Sequence, residues 1–171
     1  MLPVLLVLPS REEEGGNSGG SQGDDGNGRS VFDDLESGVP GEINGQWYLK
    51  YGGDVFPIRT SPEETKDVEI VGVEAGTEAY SGTLYIDSEG DNIVLNEIGS
   101  VLGRYFSRIQ QACYGGCEEN LPEKDCEEGG EDLVVFRAQD QRKVYKEGSC
   151  VFIEGDMVAV DAFLYKVFGV N

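Results

Sequence analysis

Four cysteines and the absence of histidine constrain this chain more than any other feature. Cys113, Cys117, Cys126 and Cys150 all lie in the last third of its 171 residues. Histidine is the commonest general base and metal ligand near neutral pH, so many enzyme mechanisms are removed at once. The four thiols must form disulfides, an all-cysteine metal site or buried apolar contacts, and each choice constrains the fold differently.

The spacing of the cysteines, C-x3-C-x8-C-x23-C, favours disulfides. Structural zinc sites usually contain paired C-x2-C turns, whereas this chain has one close pair with a longer spacer. A Cys117–Cys126 bridge would close the acidic, glycine-bearing loop at 113–132, and a Cys113–Cys150 bridge would tie a helix end to a core strand. Three pairings are open to four cysteines, and the sequence does not choose among them. Disulfides require an oxidising compartment.

The N-terminal part of the chain predicts export. Residues 1–10 contain the apolar run MLPVLLVLP, which is too short to span a bilayer and resembles a truncated signal peptide or the remnant of a membrane anchor. Residues 11–41 are rich in Gly, Asp and Glu, and we expect a disordered tether because such a segment buries little apolar surface. A short helical turn is predicted within 31–41, ended by Pro40-Gly41. Residues 42–171 then form one domain.

The first half of this domain is predicted to form antiparallel β-hairpins. In residues 46–58, two β-rich runs flank Gly52-Gly53, which can supply the positive φ angles of a tight turn. Pro57 indicates that the second strand lies at an edge. Residues 67–75 alternate as a strand does. Residues 82–87 and 92–95 predict a second hairpin, or a strand that leads into the next helix.

An amphipathic helix is predicted over 97–112, with Asn96 as its N-cap, because apolar residues recur with a helical period. Short buried strands are predicted at 133–137 and 149–153, with a weaker strand at 143–146. For 157–168 we predict a buried helix with Asp156 as N-cap and Gly169 just past its end, and a strand is the alternative. The predicted fold is therefore a single α+β domain, in which hairpins precede an amphipathic helix and a C-terminal strand–helix unit.

The net charge of −20 narrows the choice of partners. It would repel a phosphate backbone or an anionic lipid surface, so we expect no nucleic-acid binding and membrane contact only through an N-terminal anchor. We expect partners among other cell-surface proteins, or cations held by the acidic surface. We predict no catalytic residue, no cofactor and no metal ligand.

Two resemblances to known families bear on function. The closing stretch CVFIEGDMVAVDAFLYKVFGV resembles, over about the last 40 residues, small exported archaeal proteins of the S-layer or cell surface. Gly45-Gln46-Trp47-Tyr48 resembles the opening G-x-W signature of lipocalins, which implies a closed eight-stranded barrel that carries a small ligand.

Together these features predict an extracytoplasmic protein, secreted or displayed on the cell surface. The leading hypothesis is a non-enzymatic structural or binding domain, acidic and crosslinked by disulfides. One alternative is a metal or redox protein that uses the four cysteines. The other alternative is a small-ligand carrier of the lipocalin type.

Overall fold

The computed structural model describes residues 29–77, 82–117, 120–127 and 129–170, and within them the chain is a single α+β domain, as predicted. The predicted signal or anchor remnant at 1–10 and residues 11–28 of the predicted tether lie outside the described residues. The described elements, in chain order, are β1 (Pro40–Ile43), β2 (Gln46–Tyr51), β3 (Asp54–Ile58), α1 (Pro62–Thr65), β4 (Glu69–Val71), β5 (Thr83–Asp87), α2 (Asn92–Leu102), β6 (Arg108–Gln111), β7 (Cys113–Tyr114), β8 (Glu123–Lys124), β9 (Leu133–Ala138), β10 (Lys143–Glu147), β11 (Cys150–Gly155) and α3 (Met157–Val167).

Strands β1, β2 and β3 form an antiparallel sheet in that order, so the predicted hairpin at 46–58 is confirmed. Gly52 and Gly53 turn the chain with φ angles of 58° and 90°. Strand β3 lies at the edge, as Pro57 indicated. Pro40 begins β1 rather than ending a helical turn, because the turn after β1 brings β2 back alongside it. Pro40 then pairs with Leu49.

A six-stranded sheet, in the order β4-β10-β11-β9-β5-β6, forms the centre of the domain. Strands β5, β6, β9 and β11 run parallel, whereas β10 pairs antiparallel with β11 and parallel with β4. This sheet is open, with β4 and β6 at its edges, so the closed barrel implied by the lipocalin resemblance is wrong. The predicted strands at 133–137, 143–146 and 149–153 are confirmed as β9, β10 and β11.

The boundaries of helix α2 differ from the prediction. The helix runs from Asn92 to Leu102, so residues 92–95, which were predicted as a strand, form its first turn. Its N-cap is Asp91, whose Oδ1 accepts hydrogen bonds from two helix amides, rather than Asn96. Gly103 caps its end, and residues 108–111 of the predicted helix form β6 beside β5. Pairing with β5 therefore outweighs the helical period of this segment.

Helix α3 is confirmed over Met157–Val167. Asp156 accepts a hydrogen bond from the amide of Val158, as an N-cap does. Gly169, which has a φ angle of 75°, follows the C-cap residue Phe168. The amide of Val170 donates to the carbonyl of Tyr165. These are the bonds of a Schellman motif, which only a left-handed residue such as glycine closes without strain.

The central strands are buried on both faces, because alternate residues point to opposite sides of the sheet. We call the side that packs against α3 the inner face, and its side chains come from three central strands: Leu84, Ile86, Val134, Phe136, Val151 and Ile153. The opposite side is the outer face, and its apolar side chains form a separate cluster: Tyr85, Ala112, Leu133, Val135, Cys150 and Phe152.

The three-stranded sheet completes the inner cluster. Leu49 and Phe56 are buried there, and the Phe56 ring stacks on Phe168 at a centroid distance of 5.5 Å. The two longest described helices, α2 and α3, have 11 residues each, and none of the helices described reaches the length and apolar character needed to cross a membrane.

Candidate functional site

Polar side chains and an open cavity meet at the carboxyl ends of β5, β6 and β9. Strand β5 lies between the other two, so the chain leaves it towards β6 through α2 and later returns to its other side as β9. In open sheets with parallel strands, ligands bind at the carboxyl ends, where successive connections diverge in this way. We call this region the carboxyl-edge site.

Asp87, the last residue of β5, anchors the site. Its Oδ2 accepts hydrogen bonds from the amide of Tyr114 at 2.9 Å and from Arg137 Nη2 at 2.9 Å. Its Oδ1 accepts from the amide of Glu89 at 3.1 Å. Arg137 also donates to the carbonyl of Tyr114 at 3.3 Å. The ion pair is largely buried, with side-chain exposures of 11% for Asp87 and 28% for Arg137. It fixes β7 against the ends of β5 and β9.

Neither member of this pair is among the residues that the sequence analysis selected. A signal for them exists, because an acidic residue ends the run 82–87 and a basic residue ends the run 133–137. Parallel strands place their carboxyl ends at one edge, so two such residues lie close together once the strands are adjacent. The sequence did not predict the direction and order of these strands.

A cavity of about 350 Å³ opens beside this pair. Its walls come from the ends of β5 and β6 and from the loop after β7: Asp87, Glu89, Gly90, Gln111, Ala112, Cys113, Gly116, Cys117 and Leu121. The volume is at the lower end of the range for small-molecule sites, which is about 300–1,000 Å³.

The four cysteines form two separate disulfides, so the prediction of disulfide bonding is supported. The bonds join Cys113 to Cys117 and Cys126 to Cys150, with Cα–Cα distances of 5.9 and 5.1 Å. This is a different pairing from the two bridges considered from the sequence, and it leaves no bond between the helix end and β11. Two left-handed glycines between Cys113 and Cys117 turn the chain back on itself, which brings the nearest pair together.

The Cys126–Cys150 bond joins the acidic loop to the centre of the sheet. Cys150 has an exposed fraction of 0% on the outer face of β11. Gly148, in the turn before β11, lies so close that an added Cβ would be 1.8 Å from the carbonyl oxygen of Cys126. The bond spans 24 residues, and restricting the unfolded chain over that length contributes about 3–4 kcal/mol, against about 2 kcal/mol for the short Cys113–Cys117 loop.

The acidic loop is also ordered by contacts with the outer face. Lys124 forms an ion pair with Glu131, and its ammonium group lies 3.9 Å from the centre of the Tyr85 ring. The Tyr85 hydroxyl donates to Glu131 at 3.1 Å. The hydrogen bond from Lys124 lowers the pKa of Glu131. This loop therefore has a basic and aromatic anchor in addition to its disulfide.

A second polar cluster is buried in the inner layer, at the end of β3. Asp161 on α3 has an exposed fraction of 0%, and its Oδ2 accepts hydrogen bonds from the amide and the hydroxyl of Thr60, both at 2.8 Å. The Tyr165 hydroxyl donates to the carbonyl of Thr60 at 2.8 Å, and Arg59 pairs with Glu97 at 2.9 Å. Burial, assisted by the charge of Glu97, raises the pKa of Asp161 to about 6, although the Thr60 bonds oppose the shift.

The two clusters are built from carboxylates, arginines, hydroxyl groups and backbone amides. Over the residues that the structure describes, no three Cys, Asp or Glu side chains are grouped as metal ligands would be. The Asp87 carboxylate is engaged by one guanidinium and two backbone amides. These contacts hold the Asp87 carboxylate in one position at the edge of the cavity.

No protein-family model matches the chain, and no curated protein or solved structure matches it. The structure itself defines the class, an acidic α+β domain that carries two disulfides.

Proposed function

We propose that this chain is an exported domain, secreted or displayed on the cell surface, with a non-enzymatic binding or structural role. The observation that carries the proposal is the Cys126–Cys150 disulfide in the outer face of the central sheet. Disulfides form and persist in oxidising compartments, whereas cytosolic thiols are kept reduced. Because Cys150 is fully buried, this bond has to form as the domain folds.

The net charge of the chain supports an extracellular location. A net charge of −20 keeps a protein soluble and separate from nucleic acids and anionic lipids. The partners that such a surface favours are cations and basic patches on other surface proteins. The apolar run in 1–10 would be part of a signal peptide or a membrane anchor, and the glycine-rich segment that follows would link it to the domain.

The carboxyl-edge site is the place where we expect a ligand to bind. Its cavity lies where open sheets with parallel strands bind their ligands, and the ion pair with Arg137 fixes the position of Asp87, which lines the cavity. The cavity is lined by the carboxylates of Asp87 and Glu89, the Gln111 amide, the Cys113–Cys117 disulfide and two apolar residues, Ala112 and Leu121. The carboxylates and the amide oxygen suit a small polar ligand that carries hydrogen-bond donors.

Export is tested by the redox state and the accessibility of the protein in its native cells. We expect the intact mass of the alkylated protein to correspond to two disulfides without reductant, and to four labelled thiols after reduction under denaturing conditions. We also expect a membrane-impermeant amine reagent to label it on whole cells, while a cytosolic control protein stays unlabelled. Four free thiols, or labelling only after lysis, would contradict the proposal.

A further inference from the structure

The two disulfides differ in how a reductant can reach them. Cys113 and Cys117 are both half-buried, and both line the open cavity of the carboxyl-edge site. The residues that line this cavity include neither Cys126 nor Cys150. Cys150 is fully buried, and the turn at Gly148 packs against the backbone of Cys126. A thiol can approach the first bond through the cavity. In the second bond Cys126 is half-buried as well, but Cys150 is fully enclosed in the outer face of the sheet, so only one end of that bond lies near solvent.

We propose that Cys113–Cys117 is a thiol–disulfide exchange site for an uncharged or cationic dithiol that enters this cavity, and that Cys126–Cys150 is a permanent crosslink. The inference stands apart from the proposed export of the chain, because it depends only on the settings of the two bonds.

The loop around Cys113 keeps its other contacts when the bond opens. The amide of Cys113 donates to the carbonyl of Pro122 at 3.0 Å, and β7 pairs with β8. The next amide, that of Tyr114, donates to Asp87. Cys117 instead follows two left-handed glycines, which can change conformation at little cost. Reduction therefore frees the Cys117 side chain, while Cys113 stays in place and the amide of Gly116 still donates to Glu123.

This asymmetry fixes the course of the exchange. One thiolate of the dithiol attacks Cys117 Sγ, and the bond between Cys117 and Cys113 breaks. Cys113 leaves as a thiolate and takes up a proton. The second thiolate of the reagent then attacks the reagent sulfur that is bonded to Cys117, and the bond to Cys117 Sγ breaks. Cys117 leaves as a thiolate and takes up the second proton. Two electrons and two protons pass from the dithiol to the protein, and the dithiol becomes a cyclic disulfide.

The negative charge around the cavity determines which thiol reagents can approach the Cys113–Cys117 bond. Asp87 and Glu89 line the cavity, and the Glu123 carboxylate accepts a hydrogen bond from the amide of Gly116 inside the disulfide loop. Only Asp87 among these three is paired with an arginine. An anionic thiol would meet net negative charge at short range, whereas an uncharged or cationic one would not.

The exchange is measured on the folded, full-length protein. Dithiothreitol, an uncharged dithiol, is added for increasing times, the reaction is stopped with iodoacetamide, and the label on each cysteine is counted by mass spectrometry of the digested chain. We expect Cys113 and Cys117 to be labelled at least about tenfold faster than Cys126 and Cys150, with the circular dichroism spectrum unchanged. Equal rates, or reduction of Cys113–Cys117 only as the fold is lost, would overturn the proposal.

A double variant, Cys113→Ser with Cys117→Ser, is the matched control. It removes the fast labelling phase and leaves the slow phase of Cys126 and Cys150 unchanged, if the two bonds behave independently. Should the slow phase accelerate to the fast rate in this folded variant, Cys126–Cys150 is not a permanent crosslink and the proposal fails.

The charge preference has its own test. Cysteamine and 3-mercaptopropionate are compared at low salt by the rate at which each forms the mixed disulfide at Cys117. Each rate is divided by the rate of the same thiol with a small uncharged disulfide, so that the difference in thiolate nucleophilicity cancels. We expect the cationic thiol to react several-fold faster, roughly threefold or more, with the difference shrinking as salt screens the cavity. We expect Glu89→Gln to reduce the difference. Equal rates for the two thiols at low salt would overturn the assignment of an uncharged or cationic reagent.

Discussion

The buried carboxyl group of Asp161 makes the stability of the domain depend on pH, and Asp161→Asn tests this. Asp161 is fully buried on α3, where one oxygen accepts two hydrogen bonds from Thr60. Its other oxygen has no hydrogen-bond partner in the described part of the chain. Asparagine keeps an oxygen for Thr60 and has no charge, so this variant removes the ionisation and little else.

The size of the effect follows from the pKa. Desolvation raises the pKa of Asp161 from its usual 3.8 to about 6 in the folded protein. The folded state therefore holds the proton more tightly than the unfolded state, and the resulting stabilisation is complete below pH 3.8 and is lost as the pH rises through about 6. At about 1.4 kcal/mol per pH unit, the full contribution is about 3 kcal/mol, of which about 2 kcal/mol is lost between about pH 4.5 and pH 7.5.

Urea unfolding of the oxidised protein at these two pH values measures the loss. The free energy of unfolding of the unaltered protein should fall by about 2 kcal/mol more than that of Asp161→Asn. The other carboxylates change both proteins alike, so the difference between the two falls isolates Asp161. If both proteins lose the same stability over this interval, the carboxyl group of Asp161 is not held protonated by burial and the reasoning is wrong.

Three further substitutions test particular contacts. Gly148→Ala should lower the free energy of unfolding, measured with urea, by more than about 2 kcal/mol, because the new Cβ would collide with the carbonyl of Cys126. Gly45→Ala is the control, because Gly45 also has a positive φ angle but lies in open space. It should lower the free energy of unfolding by only about 1 kcal/mol in the same assay. Asp91→Ala should cost about 1 kcal/mol in thermal or urea unfolding, because two amides at the start of α2 lose their acceptor; no change would mean that the cap contributes nothing. Asp87→Asn should lower stability by about 2–3 kcal/mol, because it weakens a largely buried ion pair, and it should speed hydrogen exchange in β7; exchange unchanged there would contradict its role as the anchor of the site.

Local signals in the sequence predicted several elements correctly. Gly52-Gly53 predicted the turn between β2 and β3, and Asp156 and Gly169 predicted both ends of α3. Each of these signals acts over a few residues, since a left-handed glycine or a capping carboxylate satisfies backbone groups next to it. Such features are visible without knowledge of the tertiary fold.

The helix predicted over 97–112 shows where local signals are insufficient. The apolar residues of this segment fit a helical period, yet β6 begins at Arg108 because β5 offers a partner strand at that point. The Gly103 cap, with its amide donating to the carbonyl of Gly99, marks the true end of α2. Periodicity alone cannot weigh a strand partner that lies 25 residues earlier in the chain.

The functional candidates depend on contacts between distant residues. Asp87 and Arg137 are 50 residues apart, and Thr60 and Asp161 are 101 residues apart. Their roles follow from strand order and helix packing, which place them together in an environment of low polarity. From the sequence, each of them is one charged or polar residue among many.

The cysteines show the same division. By itself, the sequence determined that this acidic, histidine-free chain has three cysteines in one loop and a fourth in a predicted strand, and that disulfides suit their spacing better than a metal site does. Only the tertiary structure decided the pairing, because a disulfide forms between sulfurs that the fold brings within bonding distance, and the chain order does not fix that distance. It placed Cys113–Cys117 beside an open cavity with both cysteines half-buried, and it placed Cys126–Cys150 with one cysteine fully buried in the sheet.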